Sequence, residues 1–463
     1  MLGFSIFNPM KISCKKLSVF IFLCSINFIN GQEVLTQYIP NNLDSLKTYL
    51  KQINSKHIKK INGEFSSKIK KVYKNRDEKV LESIEDSTYV FNPEINKNLG
   101  LILQHIYKSN PDIDSKDFYF FIKNSIVPNA ACYGDGMFEI NLGLFTKLES
   151  EDELTFVICH EIAHKLLNHS LKNVSKSIAL INSKQTKKKV RDIKKNKYGQ
   201  TRAALSVIDE LNIDMLDYSK EVEAEADSLG FILFSKTKYE KFRALSSLEK
   251  LKKVDEMILH HDVKLDSVFN FKNYPFQPYW LKETTSLFDT NKEINEFSLL
   301  SDTLKTHPEI EFRVEKLIKS FNIERKEVDF KKSKDLFFDI KQISHLQSIQ
   351  FTLDLKLFDV TIYQLIEKYN NKKIDEDYYY TKMIEALQCI YQAKKNHELG
   401  KHVPLKNSFS DEKQLNKIRL FLHNLELNEV KKMGLAFCDL IESKKINYPN
   451  LNEIIEFFKS INN

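Results

Sequence analysis

The chain of 463 residues is poor in glycine and proline, with 11 and 10. So few turn formers argue against a β-sandwich strung on tight turns, and against collagen-like or low-complexity sequence. Charge of one sign is also lacking: 70 Lys and Arg face 63 Asp and Glu, a formal +7. That surplus is too diffuse to mark a nucleic-acid surface, so no nucleic-acid partner is expected. Beyond the first thirty-one residues no stretch reaches the length of apolar sequence that spans a bilayer. Cysteine is scarce, six in all. What is plentiful is aromatic: 33 Phe and 19 Tyr in a chain that is 42% hydrophobic, which argues against large-scale disorder and for a sizeable core. The length suggests two or three domains.

Residues 1–31 have the pattern of an export signal. Lys11, Lys15 and Lys16 form a basic segment, followed by the mostly apolar 17–29. These thirteen residues fall short of the roughly 20 that span a bilayer, so the segment is expected to be removed after Gly31. Without its three lysines the mature chain has 67 basic against 63 acidic residues, or +4. An exported protein, periplasmic or secreted and without a transmembrane span, is the expectation. Such a compartment permits disulfides, and Cys389 with Cys438 is the candidate pair. Cys159, inside an apolar helix, is expected to be a buried free thiol.

Residues 32–94 are expected to be a polar N-terminal helical segment. Residues 118–122 and 137–142 alternate as strands do, with a turn-rich link at 128–136 between them. Residues 151–170 form a strong helical pattern, with Ser150 as N-cap and Glu153 completing a capping box. The run 184–197 holds eight basic residues and one acid, Asp192. It is either a surface for peripheral contact with an anionic membrane or acidic partner, or simply a solvated face. Helix returns over 219–236. From 331 to 463 the pattern is helical throughout, without a catalytic cluster.

The chemistry concentrates at His160-Glu161-Ile162-Ala163-His164. Histidines at i and i+4 project from one face of a helix and can share one Zn²⁺. Glu161 beside them can take a proton from an activated water. The flanking Phe156, Val157, Ile158 and Ile162 imply that the helix is buried. A catalytic zinc needs a third protein ligand. His169 lies nine residues after His160, on the opposite face of a straight helix, so it is expected to support the site or be structural. Cys159 points about 100° away. The acidic stretch 218–230 supplies a better candidate. Glu223 and Asp227 share one face there, Glu223 to bind zinc and Asp227 to accept a hydrogen bond from a ligand histidine. Glu221 and Glu225 fall on the far face and are expected to be solvated.

These residues carry a resemblance. His160-Glu161-Ile162-Ala163-His164 with His169, Ser219-Lys220-Glu221-Val222-Glu223-Ala224-Glu225-Ala226-Asp227, and Thr306-His307-Pro308 with Arg313 together resemble the marks of metallopeptidase family forty-eight. Its branches include CAAX prenyl proteases, membrane heat-shock proteases and soluble periplasmic proteases. The segment from Pro128 to Phe145 is similar to the stretch that precedes the catalytic helix in that family. The likeness covers roughly residues 95–320 and departs at Lys220, where the family has arginine; lysine keeps the charge but not the planar fork.

The resemblance implies an α+β, mainly α fold. It would be a gluzincin-type zinc peptidase domain over 95–330, with a small β-sheet beside the H-E-x-x-H helix and a C-terminal all-α region over 331–463. It implies one Zn²⁺ per chain held by His160, His164 and Glu223, with Glu161 as general base and polypeptide substrates. The missing membrane helices favour a soluble exported member acting on misfolded or envelope proteins. His307, with Arg313, would stabilise the oxyanion; alternatively His307 would be a fourth ligand that holds the enzyme latent. The strand at 137–142 would bind an extended substrate by β-augmentation, or be an ordinary sheet edge. The rival is a non-proteolytic, chaperone-like binding protein with a structural zinc. A closed fourth coordination position, and no cleavage that depends on Glu161, would mark it.

Overall fold

The computed structural model describes residues 40–86, 88–195, 220–252, 261–283, 310–326, 336–407 and 412–461. The two alternating stretches form strands β1 (Tyr119–Lys123) and β3 (Met137–Asn141), and a third short strand, β2 (Ala130–Cys132), lies in the link between them. The sheet order is β1-β3-β2, with β1 parallel and β2 antiparallel to β3. Three residues are too few for a period of two to register in sequence, so the sequence there shows only the turn-rich link. Its pairing sets Ala130 opposite Ile140 and Cys132 opposite Phe138. The turn from β2 to β3 needs Gly136, at φ +118 and so close to Asp117 that a Cβ would lie 2.2 Å from its carbonyl oxygen.

The chain leaves β3 through a short helix, Leu142–Lys147, and enters the H-E-x-x-H helix, Glu151–Leu166. The Ser150 hydroxyl accepts from the Glu153 amide at 3.3 Å, which starts the helix. The capping box does not close. The Glu153 carboxylate accepts instead from the Glu149 amide at 2.7 Å and from Lys250 Nζ at 2.9 Å, so this buried acid ties the helix to its neighbour Arg243–Lys252. The helix also ends four residues before the expected 170. Asn168 takes the left-handed conformation, φ 55, and a new helix, His169–Asn182, begins immediately after it. Asparagine tolerates that conformation better than most residues.

The N-terminal segment forms helices Leu43–Lys59 and Ser66–Glu85, which brace the sheet. Leu46, Leu50 and Ile84 share a small core with Phe121 and Met137. Arg76 donates to the Tyr133 carbonyl at 3.1 Å, holding the β2–β3 turn from outside.

Two larger cores follow. One lies under the H-E-x-x-H helix and joins Ile102, Phe138, Phe145, Phe156, Ile162, Phe234, Leu248 and Val314. The other fills the C-terminal helices Phe358–Asn370, Glu376–Lys395, Lys413–Asn424, Leu427–Lys444 and Leu451–Ser460. The packing does not follow the boundary expected at 330. Val263, Leu265, Phe269 and Trp280 belong to the C-terminal core although they precede that boundary. Trp280 is completely buried, and its indole Nε1 donates to Glu429 at 2.8 Å. Helix Leu336–Asp354 serves both sides, giving Phe337 and Ile340 to the peptidase core and Ile349 and Leu353 to the other. It does so because apolar residues surround most of its circumference.

Cys132, Cys159, Cys389 and Cys438 are all free, so the expected Cys389–Cys438 bridge is not made. Cys438 is buried in the C-terminal core, where burial pushes its thiol up to about 12, and it packs as a small apolar group. Among the described residues no helix is long and apolar enough to cross a membrane.

Candidate metal centre

Two helices cross to build the site. The first carries His160 and His164 one turn apart. The second, residues 220–235, carries Glu223 and Asp227 one turn apart. They approach closely because Gly230 faces the first helix: a Cβ there would lie 2.8 Å from His160 Cα. The buried Ala224 and Ala226 keep that helix slim. The two Nε2 atoms of His160 and His164 are 3.0 Å apart. Glu223 faces both, Oε2 at 3.4 Å from His160 and Oε1 at 3.3 Å from His164. The donor atoms of the three side chains all lie within 4.8 Å of one another.

The other faces of these groups are held as well. His160 Nδ1 lies 2.9 Å from Asp227 Oδ1. Asp227 accepts from Arg313, Nε at 2.6 Å and Nη2 at 2.7 Å, and Arg313 Nη1 lies 3.0 Å from Glu223 Oε2. Arg313 comes from helix Ile310–Phe321 and is almost wholly buried. On the far side, His164 Nδ1 meets His169 Nδ1 at 3.0 Å, and His169 Nε2 meets Glu225 Oε2 at 3.1 Å.

The electrostatics suit a cation. Burial pushes the His160 imidazole down, but hydrogen bonds and charge from Asp227 and Glu223 outweigh it and raise it to about 10. Burial pushes Asp227 up, yet the Arg313 guanidinium and then His160 hold it down at about 2. Burial, and then the charge of His164, lower His169 to about 4, so this imidazole is neutral near pH 7. Two imidazoles and a carboxylate are the donor set of a catalytic zinc that keeps one position open.

Glu161 is buried on the same helix and lines a small cavity, about 20 Å³, together with His160 and Arg313. The rest of its wall is mainly apolar: Ala130, Leu144, Phe156, Val157, Leu248 and Leu251. Ala130 belongs to β2, which packs against the H-E-x-x-H helix and is an edge of the sheet. The strand at 137–142, expected to receive an extended substrate, is β3; it lies between β1 and β2 and has no free edge. The edge beside the site is β2.

Other expected site residues fall differently. The guanidinium of Arg313 bonds Asp227 and lies 3.0 Å from Glu223, behind the metal-facing carboxylate, and the residue also lines the cavity with Glu161. His307, with Thr306 and Pro308, lies outside the described residues, as do residues 1–39. His169 is turned onto His164 by the bend at Asn168, and not away from the site as on a straight helix. Glu221 is exposed, whereas Glu225, about half exposed, contacts His169. The basic run forms a helix over Lys184–Lys195 with most of its described side chains exposed. The links made by Arg313 and by His169 with Glu225 were missed, since each joins residues far apart in the chain.

A largely buried His–His–Glu cluster, its histidines on an H-E-x-x-H helix and its glutamate on a second helix, with a glutamate base at its side, defines the class of zinc peptidases. The sequence profile described as "Peptidase family M48" matches residues 96–320, and through that stretch the chain belongs to this family of zinc-dependent metallopeptidases. It is therefore a hydrolase of peptide bonds, with polypeptides as substrates. Among curated proteins no significant match to the chain is found.

Proposed function

We propose that the chain is an exported zinc endopeptidase that binds one zinc per chain through His160, His164 and Glu223, and that it cleaves misfolded or envelope proteins. The observation that carries this reading is the convergence of those three donors within 4.8 Å, with Glu161 beside them. Zinc, when bound, supplies a Lewis acid that polarises the scissile carbonyl and acidifies water. Glu161 takes the proton from the attacking water and delivers it to the leaving amine. Asp227 holds His160, and Arg313 fixes both Asp227 and Glu223, so the donors need little reorganisation before the reaction. His307 is proposed as the group that meets the oxyanion or, alternatively, occupies the fourth position as a latch.

An extended substrate would add to the edge of β2, which lies against the catalytic helix. The apolar cavity beside Glu161 would receive a small apolar side chain. Extended apolar segments are what folded proteins hide and misfolded ones expose, which supports a role in protein quality control. The signal-like segment 1–31 supports a periplasmic or secreted location. The exposed basic helix Lys184–Lys195, with Val190 exposed on it and Ile181 exposed just before it, supports peripheral contact with an anionic membrane.

The test is zinc content together with casein cleavage, for wild type and Glu161→Gln. Wild type should carry zinc and cleave; Glu161→Gln should carry zinc and not cleave. Equal cleavage by both would refute the mechanism. Zinc in both, with no cleavage by either, would favour the chaperone-like alternative.

A further inference from the structure

We infer that His169 and Glu225 form a relay that sets the tautomer of His164, and so holds this ligand ready for the metal. The inference rests on the zinc reading above and concerns positioning residues, since neither touches substrate.

A neutral imidazole has one nitrogen that donates and one that accepts. Two ring nitrogens 3.0 Å apart, as His164 Nδ1 and His169 Nδ1 are, need one proton between them. The ambiguity is settled at the far end of the chain. A carboxylate only accepts, so Glu225 Oε2, 3.1 Å from His169 Nε2, places the proton of His169 on that nitrogen. His169 Nδ1 is then left with its lone pair and must accept. His164 Nδ1 must therefore donate, which leaves the lone pair of His164 on Nε2. That atom faces His160 Nε2 at 3.0 Å and Glu223 Oε1 at 3.3 Å, on the metal side.

The arrangement gives each ligand histidine a carboxylate behind it. His160 has Asp227 directly, at 2.9 Å. His164 has Glu225 through one intervening imidazole. The relay depends on the helix break. The left-handed Asn168 swings His169 back over His164, and the following residue secures it: Ser170 Oγ donates to the Tyr133 carbonyl at 2.8 Å and accepts from Arg76 Nη1 at 3.0 Å. His169 itself is buried, whereas Glu225 is about half exposed, so the carboxylate is reached from solvent while the imidazole is not.

The test uses full-length His169→Phe, His169→Asn and Glu225→Gln. Phenylalanine keeps a ring without an acceptor. Asparagine offers an amide oxygen to His164 Nδ1. Glu225 is exposed enough that its variant is not at risk of misfolding. Two readouts are independent of turnover: zinc affinity by chelator competition, and the His164 tautomer in metal-free protein by ¹⁵N chemical shifts. Wild type should show His164 protonated at Nδ1. His169→Phe should lose that preference and bind zinc about 10–100-fold more weakly, as removal of a ligand's partner typically does. His169→Asn should recover most of the affinity, and Glu225→Gln should shift the tautomer part of the way. Wild-type affinity and tautomer in both His169→Phe and Glu225→Gln would overturn the relay. A wild type that binds zinc without cleaving casein would count against the peptidase reading alone, since both readouts precede catalysis.

Discussion

Arg313 joins Asp227 and Glu223 into one unit: two of its nitrogens bond the Asp227 carboxylate at 2.6 and 2.7 Å, and the third lies 3.0 Å from Glu223. The two acids are a helical turn apart, so a planar fork spans them where a point charge would not. Arg313→Ala should therefore destabilise the protein by about 3–5 kcal/mol, the usual cost of leaving buried charges without their partner. Arg313→Lys should restore part of the stability but less of the zinc affinity. Urea unfolding and chelator competition measure the two separately; full zinc affinity in Arg313→Lys would show that charge alone suffices.

Glu223→Gln should lose far more zinc than Glu221→Gln, because Glu223 is buried at the cluster and Glu221 is exposed. Asp227→Asn should fall between them, about 10–100-fold in affinity. Metal analysis after dialysis ranks the three. Equal loss in Glu221→Gln and Glu223→Gln would place the third ligand elsewhere.

The cavity beside Glu161, about 20 Å³, has room for little more than a methyl group. Peptides with alanine at the residue entering it should be cleaved best. Leu251→Ala should raise kcat/KM for leucine at that residue by about 10-fold or more, following the cost of methylenes in such pockets. A peptide series varied on both sides of the scissile bond would read this. An unchanged preference would mean that the cavity does not receive substrate.

Removing residues 331–463 should abolish folding of the whole chain. The cut strips the cover from Val263, Leu265, Phe269 and Trp280, and takes Phe337 and Ile340 out of the peptidase core. Circular dichroism and protease resistance of the truncated chain should show loss of cooperative structure. A truncated chain that unfolds cooperatively and binds zinc would show that the peptidase stands alone.

Lys368 should make stability depend on pH. It is buried, donates to Gln364 Oε1 at 2.8 Å and also bonds the Ser348 hydroxyl; burial, with Lys147 nearby outweighing only part of the pull of Glu367, lowers it from 10.5 to about 7. The unfolded chain therefore binds the extra proton between about pH 7 and 10.5, and the folded chain does not. Stability should rise with pH across that window and lose this dependence below it. Urea midpoints at pH 7 and 9, compared between wild type and Lys368→Met, isolate the effect. The slope should shrink in the variant; an equal slope in both would exclude Lys368 as its source.

Local patterns made much of the molecule legible. The i, i+4 spacings of His160 with His164 and of Glu223 with Asp227 mark two helices and one shared face each, and Ser150 marks where the first begins. Where the local pattern failed, a competing contact decided. Glu153 has the spacing of a capping box, yet Lys250 and Ser246 draw its carboxylate to another helix. The helical pattern continues to 170, yet Asn168 turns left-handed and ends it. β2 is too short to show a period and exists because β3 pairs with it.

The sequence by itself determined the chemistry: which helices carry imidazoles and carboxylates, and which of these share a face. Backbone geometry within one turn suffices for that. Only the tertiary structure decided what stands behind them. Arg313 meets Asp227 across 86 residues and Glu225 meets His169 across 56, separations at which no helical period relates two side chains. It also made β2 rather than β3 the open edge, and it placed Trp280 among the C-terminal helices. These outcomes depend on which surfaces bury each other, a property of the folded chain as a whole and not of any local window.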